Sequence, residues 1–223
     1  MKEAYSYLAK LTEIEQKNSP KSFFYEGDYS LLEKGRRVSV VGSRKISELG
    51  IRRAEKITKF LVESGITVVS GLAEGVDTIA HKTAIIEKGN TIAVIGTPLN
   101  KYYPKENQKL QDYISKNQLL ISQFPDGYPI TGKNFPIRNR LMALISDATI
   151  IIEASEKSGT KHQGWEALRL GRTVFIMENI IKDDSITWAK EMLNYGAEVL
   201  TNKNYKDLIF DLPFLTTKEV YEF

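Results

Sequence analysis

Cysteine is absent from the sequence, which removes disulfides, thiol nucleophiles and thiolate metal sites from consideration. Histidine occurs twice, at His81 and His162, too far apart in sequence to suggest a histidine-based zinc site. No apolar run approaches the roughly 18–20 residues of a membrane span. The opening Met1-Lys2-Glu3-Ala4-Tyr5 is too polar for a secretory signal, so the expected location is the cytoplasm. Neither the G-x-G-x-x-G fingerprint nor the Walker A pattern is present, which argues against NAD binding and P-loop ATPase chemistry. Charge of one sign is scarce too: 31 basic against 28 acidic residues leave +3. That is less than a strongly basic nucleic-acid binder carries, so any anion site must come from local clustering.

What is present is enough to build a full core. Of 223 residues, 42% are hydrophobic, which excludes a disordered chain. Repeats, low-complexity stretches and linkers are missing, and a single domain over residues 1–223 is expected. Ala4, Leu8, Leu11 and Ile14 sit at helical spacing, predicting an amphipathic helix over 2–17. Phe23-Phe24-Tyr25 before Glu26-Gly27-Asp28 predicts an edge strand and a turn. Near-continuous apolar strands at 37–41, 66–70 and 91–95 alternate with helices over 46–64 and 77–88. This β-α-β-α-β order describes a doubly wound, mostly parallel sheet. Further strands are expected at 119–122, 148–153, 173–177 and 197–200. Helices are expected to about 117 and over 141–145, 164–170 and 188–195, with at most one more turn beyond Asn202.

Turns leaving parallel strands gather backbone N–H groups and positive helix ends at one edge, which suits anions. The first such turn is Val41-Gly42-Ser43-Arg44-Lys45, where Gly42 permits close approach, Ser43 offers a hydroxyl and Arg44 can grip phosphate with two donors. The second is Gly71-Leu72-Ala73-Glu74-Gly75-Val76-Asp77. Asp77 suits a helix N-cap, and His81 one turn later could meet it as an acid–base pair; a structural role for both is favoured. The third is Ser158-Gly159-Thr160-Lys161-His162-Gln163, with Lys161 as its cation. Residues 133–140 read Lys133-Asn134-Phe135-Pro136-Ile137-Arg138-Asn139-Arg140. Placed at the end of a loop, this stretch offers cations for phosphates and an aromatic ring for a base, the mixture that single-stranded nucleic acid requires. The bland alternative is that Phe135-Pro136 is a hydrophobic staple and the arginines cap a helix or pair with carboxylates.

With these stretches in place the chain resembles the DprA/Smf family of bacterial DNA-processing proteins. The resemblance runs from about Pro20 to Leu200. It rests on Val41 to Arg44, Val69 to Asp77 with Ala80-His81, Thr91-Ile92-Ala93-Val94, Tyr103-Pro104 with Asn107, Phe135 to Arg140, Ser158-Gly159 and Gly171-Arg172. It implies an extended Rossmann-like fold with helices on both faces of the sheet. It also implies non-enzymatic, sequence-independent binding of single-stranded DNA, without cofactor or metal, a homodimer, and delivery of the strand to a RecA-type recombinase during DNA uptake. The family's DNA pocket would fall here on Arg44, Phe135, Arg138 and Arg140, with Lys133 beside them.

Some positions depart from the family pattern. Gln123 follows Ser122 where the family has Glu, Gln163-Gly164 replaces Thr-Ala, and Glu178-Asn179 replaces Pro-Gly. Longer members add a helical or winged-helix domain, so a short stand-alone member is expected. The alternative is a nucleotide-binding sensor or hydrolase like the lysine-decarboxylase-like (LOG) relatives, using Asp77, His81 and Glu166 in the same pocket.

Overall fold

In the parallel core the side chains of whole strands disappear from solvent. Every residue of Arg37–Val41, Thr67–Ser70, Thr91–Ile95, Leu119–Ser122 and Ala148–Ile151 is buried, as expected of strands covered on both faces. The computed structural model describes residues 2–4 and 11–213. Its strands are β1 (Lys2–Ala4), β2 (Phe23–Gly27), β3 (Arg37–Val41), β4 (Thr67–Ser70), β5 (Thr91–Ile95), β6 (Leu119–Ser122), β7 (Ala148–Ile151), β8 (Thr173–Met177) and β9 (Glu198–Leu200). They form one sheet in the order β1-β2-β6-β5-β4-β3-β7-β8-β9. Only the β1–β2 and β2–β6 pairs are antiparallel. The helices are α1 (Glu13–Asn18), α2 (Glu48–Glu63), α3 (Val76–Ile86), α4 (Gln108–Asn117), α5 (Asn134–Ile145), α6 (Thr160–Arg169), α7 (Glu178–Ile181), α8 (Thr187–Asn194) and α9 (Tyr205–Phe210). Among the described residues no helix is long and apolar enough to cross a membrane.

The strand order contains one reversal. From β3 the chain winds outward through β4, β5 and β6, then returns to lay β7 against the other side of β3. Right-handed crossovers place helices from the two directions of winding on opposite faces. Accordingly α2 packs on α3, and α5 packs on α6. The loops leaving β3 and β7 diverge at this reversal, and the crevice between them is where such sheets bind ligands.

Four expectations change. Lys2–Ala4 is not helical: it pairs with β2, Ala4 opposite Phe23, and Ala4 is buried there. The remaining helix is short, and Thr12 and Glu15 cap its start reciprocally; Leu8 lies outside the described residues. With β1 alongside it, β2 is not the edge strand. The helix expected over 141–145 begins seven residues earlier, so Phe135 to Arg140 are helical rather than loop. Pro136 is compatible because the first-turn N–H groups have no intrahelical acceptor. Finally, α6 starts at Thr160 rather than at Gly164, and the strand before it ends at Ile151.

His81 exemplifies the polar core. Its Nδ1 lies 2.7 Å from the Thr91 hydroxyl, which itself donates to the Val68 carbonyl at 2.9 Å. The ring therefore donates through Nδ1, and Nε2 is buried without a partner. Burial, aided by the Arg138 guanidinium, pushes the imidazole pKa down to about 3. Above its unfolded pKa of 6.5 the residue is neutral in both states and has no effect on the pH dependence. Below it the unfolded chain takes up a proton that the native chain refuses, so stability falls as the pH drops from 6.5 toward 3. The loss between pH 7 and pH 5 should be about 2 kcal/mol. In urea titrations at those two pH values, His81→Asn should show a correspondingly smaller drop than the parent; an equal drop would refute this assignment.

Candidate functional site

At the end of β3 the glycine requirement comes from loop against loop. A Cβ on Gly42 would lie 2.6 Å from Val76 Cγ2 and 2.7 Å from the Glu153 carbonyl oxygen. Gly75, at φ +73°, presses against the Ser43 and Arg44 carbonyls, which a Cβ would overlap. The Ser43 N–H donates to the Glu153 carbonyl at 2.7 Å, and the Val76 N–H donates to the Ser43 carbonyl at 3.1 Å. The Ser43 hydroxyl donates to the Lys45 carbonyl at 2.7 Å and accepts from the Lys45 N–H at 3.1 Å. The Glu153 carboxylate accepts from the Ser47 N–H and hydroxyl, at 2.9 and 2.5 Å. Gly42, Ser43 and Gly75 thus build the turn, and they leave Arg44 and Lys45 projecting from it, exposed.

The turn after β4 encloses a buried charge pair. Asp77 Oδ2 accepts from the N–H groups of Gly71 and Ala73, at 3.2 and 3.3 Å. Arg138 Nη1 donates to the Gly71 carbonyl and, at 3.0 Å, to the Val94 carbonyl. The guanidinium fills the space that a Cβ on Gly71 would need. Burial pushes the Asp77 carboxyl pKa up, and Arg138 and the two N–H groups pull it back. Burial lowers the Arg138 pKa in turn, opposed by Asp77. Arg138, only 6% exposed, is therefore tied to carbonyls and to Asp77, and the Gly71 N–H is already used. His81 hydrogen-bonds Thr91 instead of Asp77.

These turns frame a cleft of about 530 Å³ at the β3/β7 reversal. One wall carries Arg44, Lys45, Phe135 and Asn139; the other carries Lys157, Ser158, Gly159 and His162. Arg44 lies over the Phe135 ring, 5.4 Å from its centroid, a cation–π geometry. The ring rests on Gly96, where a Cβ would come within 2.9 Å of it. Opposite, α6 points its positive end toward the cleft, and Gly159 leaves open space beside it. The Ser158 hydroxyl donates to Thr160 Oγ1 at 2.8 Å and accepts from the Thr160 N–H at 3.2 Å. Asp77 and Arg138 also line the cleft and offset one another. Its net charge therefore comes from Arg44, Lys45 and Lys157, which form no ion pair among the described residues. Those residues contain no cluster of three His, Asp or Glu able to hold a metal.

Five sequence candidates do not line the cleft: Gly71 and Gly75, which lie in the turn after β4, and Lys133, Arg140 and Lys161. Lys133 is exposed at the start of α5. Arg140 Nε is bound to Glu166 at 3.0 Å, and Arg169 holds the other carboxylate oxygen. Lys161 lies in the first turn of α6, which presents His162 and Gln163 to the cleft instead. Lys157 and His162 were missed. A lysine beside Ser158-Gly159 was visible in the sequence, but its placement required knowing that β7 ends at Ile151 and α6 begins at Thr160.

The molecule is thus an α/β protein with a Rossmann-like sheet and a cationic, aromatic-lined cleft at its strand reversal. The chain belongs to the DNA recombination-mediator protein A family, whose model matches residues 1–212. It is 39% identical over 185 residues to the DNA processing protein DprA of Streptococcus pneumoniae, covering 83% of this chain and 65% of that protein. It is 33% identical over 194 residues to DprA of Bacillus subtilis, covering 87% and 65%. The chain thus spans 65% of the length of each of these relatives. The solved S. pneumoniae DprA superposes with a TM-score of 0.81 at 36% identity, over 94% of this chain and 71% of that one. DNA processing protein A of Helicobacter pylori, described for its single-stranded DNA binding mode, gives 0.78 at 25% identity, covering 90% and 93%. A molybdenum cofactor carrier protein of Chlamydomonas reinhardtii, at 0.55 and 16% identity, shares the fold alone.

Removing Arg138 should leave Asp77 buried without its cation. Arg138→Met also takes the donor from the Gly71 and Val94 carbonyls and is expected to cost about 1–3 kcal/mol in urea unfolding, and adding Asp77→Asn should restore part of that loss. A cost below about 1 kcal/mol would show that the pair does not hold the β4 turn.

Proposed function

We propose that the cleft binds single-stranded DNA without sequence preference and without chemical transformation of the strand. The observation that carries this reading is Arg44 stacked on Phe135 at a cleft whose other cations are Lys45 and Lys157. Cations track phosphates, and a ring offers its face to any base. Arg44, Lys45 and Lys157 neutralise phosphates, Phe135 stacks, and Asn139, Ser158 and Gly159 shape the walls. Gly42, Ser43, Gly71, Gly75 and Arg138 hold the site together, while Lys133, Arg140 and Lys161 sit where only a longer strand would meet them. Family membership supports action as a homodimer in the cytoplasm that passes the strand to a RecA-type recombinase. The nucleotide-hydrolase reading loses its support, because His81 is buried on Thr91 and Glu166 is held by two arginines outside the cleft.

Binding of labelled oligo-dT, followed by anisotropy, should weaken with salt at a slope of about −2 in log K against log salt for three phosphate contacts. Arg44→Ala should weaken binding and flatten that slope by about 0.7. Phe135→Ala should cost about 1–3 kcal/mol with the slope unchanged. Affinity insensitive to both substitutions would sink the proposal. Calorimetric binding of a mononucleotide with hydrolysis would replace it by the nucleotide reading.

A further inference from the structure

The aromatic wall of the cleft does not stop at Phe135. The segment leaving β5 brings Tyr103 back to the same sheet edge, with ring centroids 5.3 Å apart and planes at 42° to Phe135. Tyr103 remains 44% exposed, a large ring packed on its neighbour at the surface rather than sunk in the core. Arg44, Phe135 and Tyr103 therefore form a continuous series of cation, ring and ring. A cavity of about 30 Å³ is lined by both rings together with Gly96, Pro104 and Arg138, too little for a nucleobase, so a base would stack on the exposed surface of Tyr103. One strand further along the edge, Tyr128 packs on Phe124 at 5.0 Å and is 43% exposed.

Charge is mixed along this edge. Lys45 and Lys157 line the cleft toward β7, Arg44 lines both the cleft and the small cavity beside Tyr103, and the exposed Glu74 also lines that cavity.

We infer that Tyr103 is a second base-stacking platform beside Phe135. This rests on the single-stranded DNA reading above. The base supplies the π-face and the tyrosine the complementary ring, so the contact is tolerant of base identity.

The test compares oligo-dT with an abasic strand of equal length, which keeps the phosphates and removes the bases. Tyr103→Leu should weaken oligo-dT binding about fivefold or more and leave the abasic strand unaffected, while Tyr103→Phe should bind both strands like the parent. In Tyr103→Trp, oligo-dT should quench the added indole fluorescence and the abasic strand should not. Equal weakening of both strands by Tyr103→Leu would overturn the inference, because Tyr103 would then only support Phe135 and Arg44. Unchanged oligo-dT binding by Tyr103→Leu would overturn it as well. Arg44→Ala separates this from failure of the underlying reading: if it weakens both strands, DNA binding stands whatever Tyr103 does, and if it weakens neither, that reading falls first.

Discussion

The cleft depends on two buried opposite charges, Asp77 and Arg138, each held by backbone at the strand ends. Asp77 holds two N–H groups of the turn after β4, and Arg138 holds the carbonyls at the ends of β4 and β5. Three residues before Arg138 on α5, and so on the same helix face, stands Phe135. Anchoring Arg138 therefore anchors Phe135 over Gly96, and Phe135 in turn places Arg44. A buried ion pair adds little net stability because desolvation offsets the attraction. Its contribution here is positional, fixing one helix against two strand ends.

The glycines serve the same purpose. Gly42, Gly71 and Gly75 are small because backbone or guanidinium occupies the space of their missing side chains. The polar groups of these turns are consumed internally, by Glu153, Lys45 and Asp77. A rigid edge results, from which a few long cations project into solvent. Preorganisation of this kind suits a site that must bind a flexible strand without reading its sequence, since less ordering entropy is lost on binding.

The architecture was legible from local pattern. Strands at 37–41, 91–95, 119–122 and 173–177 fall where the apolar runs place them, and the alternation with helices implies the parallel sheet and its ligand edge. Helix starts were harder. Asn134-Phe135-Pro136 reads as loop because proline breaks helices, yet in a first turn its missing N–H costs nothing. At the N-terminus, helical spacing in 2–17 lost to pairing with β2, where Ala4 meets Phe23.

The sequence by itself determined the order of strands and helices and the chemical repertoire of the edge, because apolar period and glycine turns are local properties. It also carried the family motifs. Only the tertiary structure decided which cations face the cleft. Five cations from separate stretches compete for partners that local pattern does not reveal: Arg138 meets the Gly71 and Val94 carbonyls, Arg140 meets Glu166, and Arg44, Lys45 and Lys157 are left to project. Lys161 turns away because α6 begins at Thr160. Those outcomes follow from helix phase and from long-range burial, which no window of sequence contains.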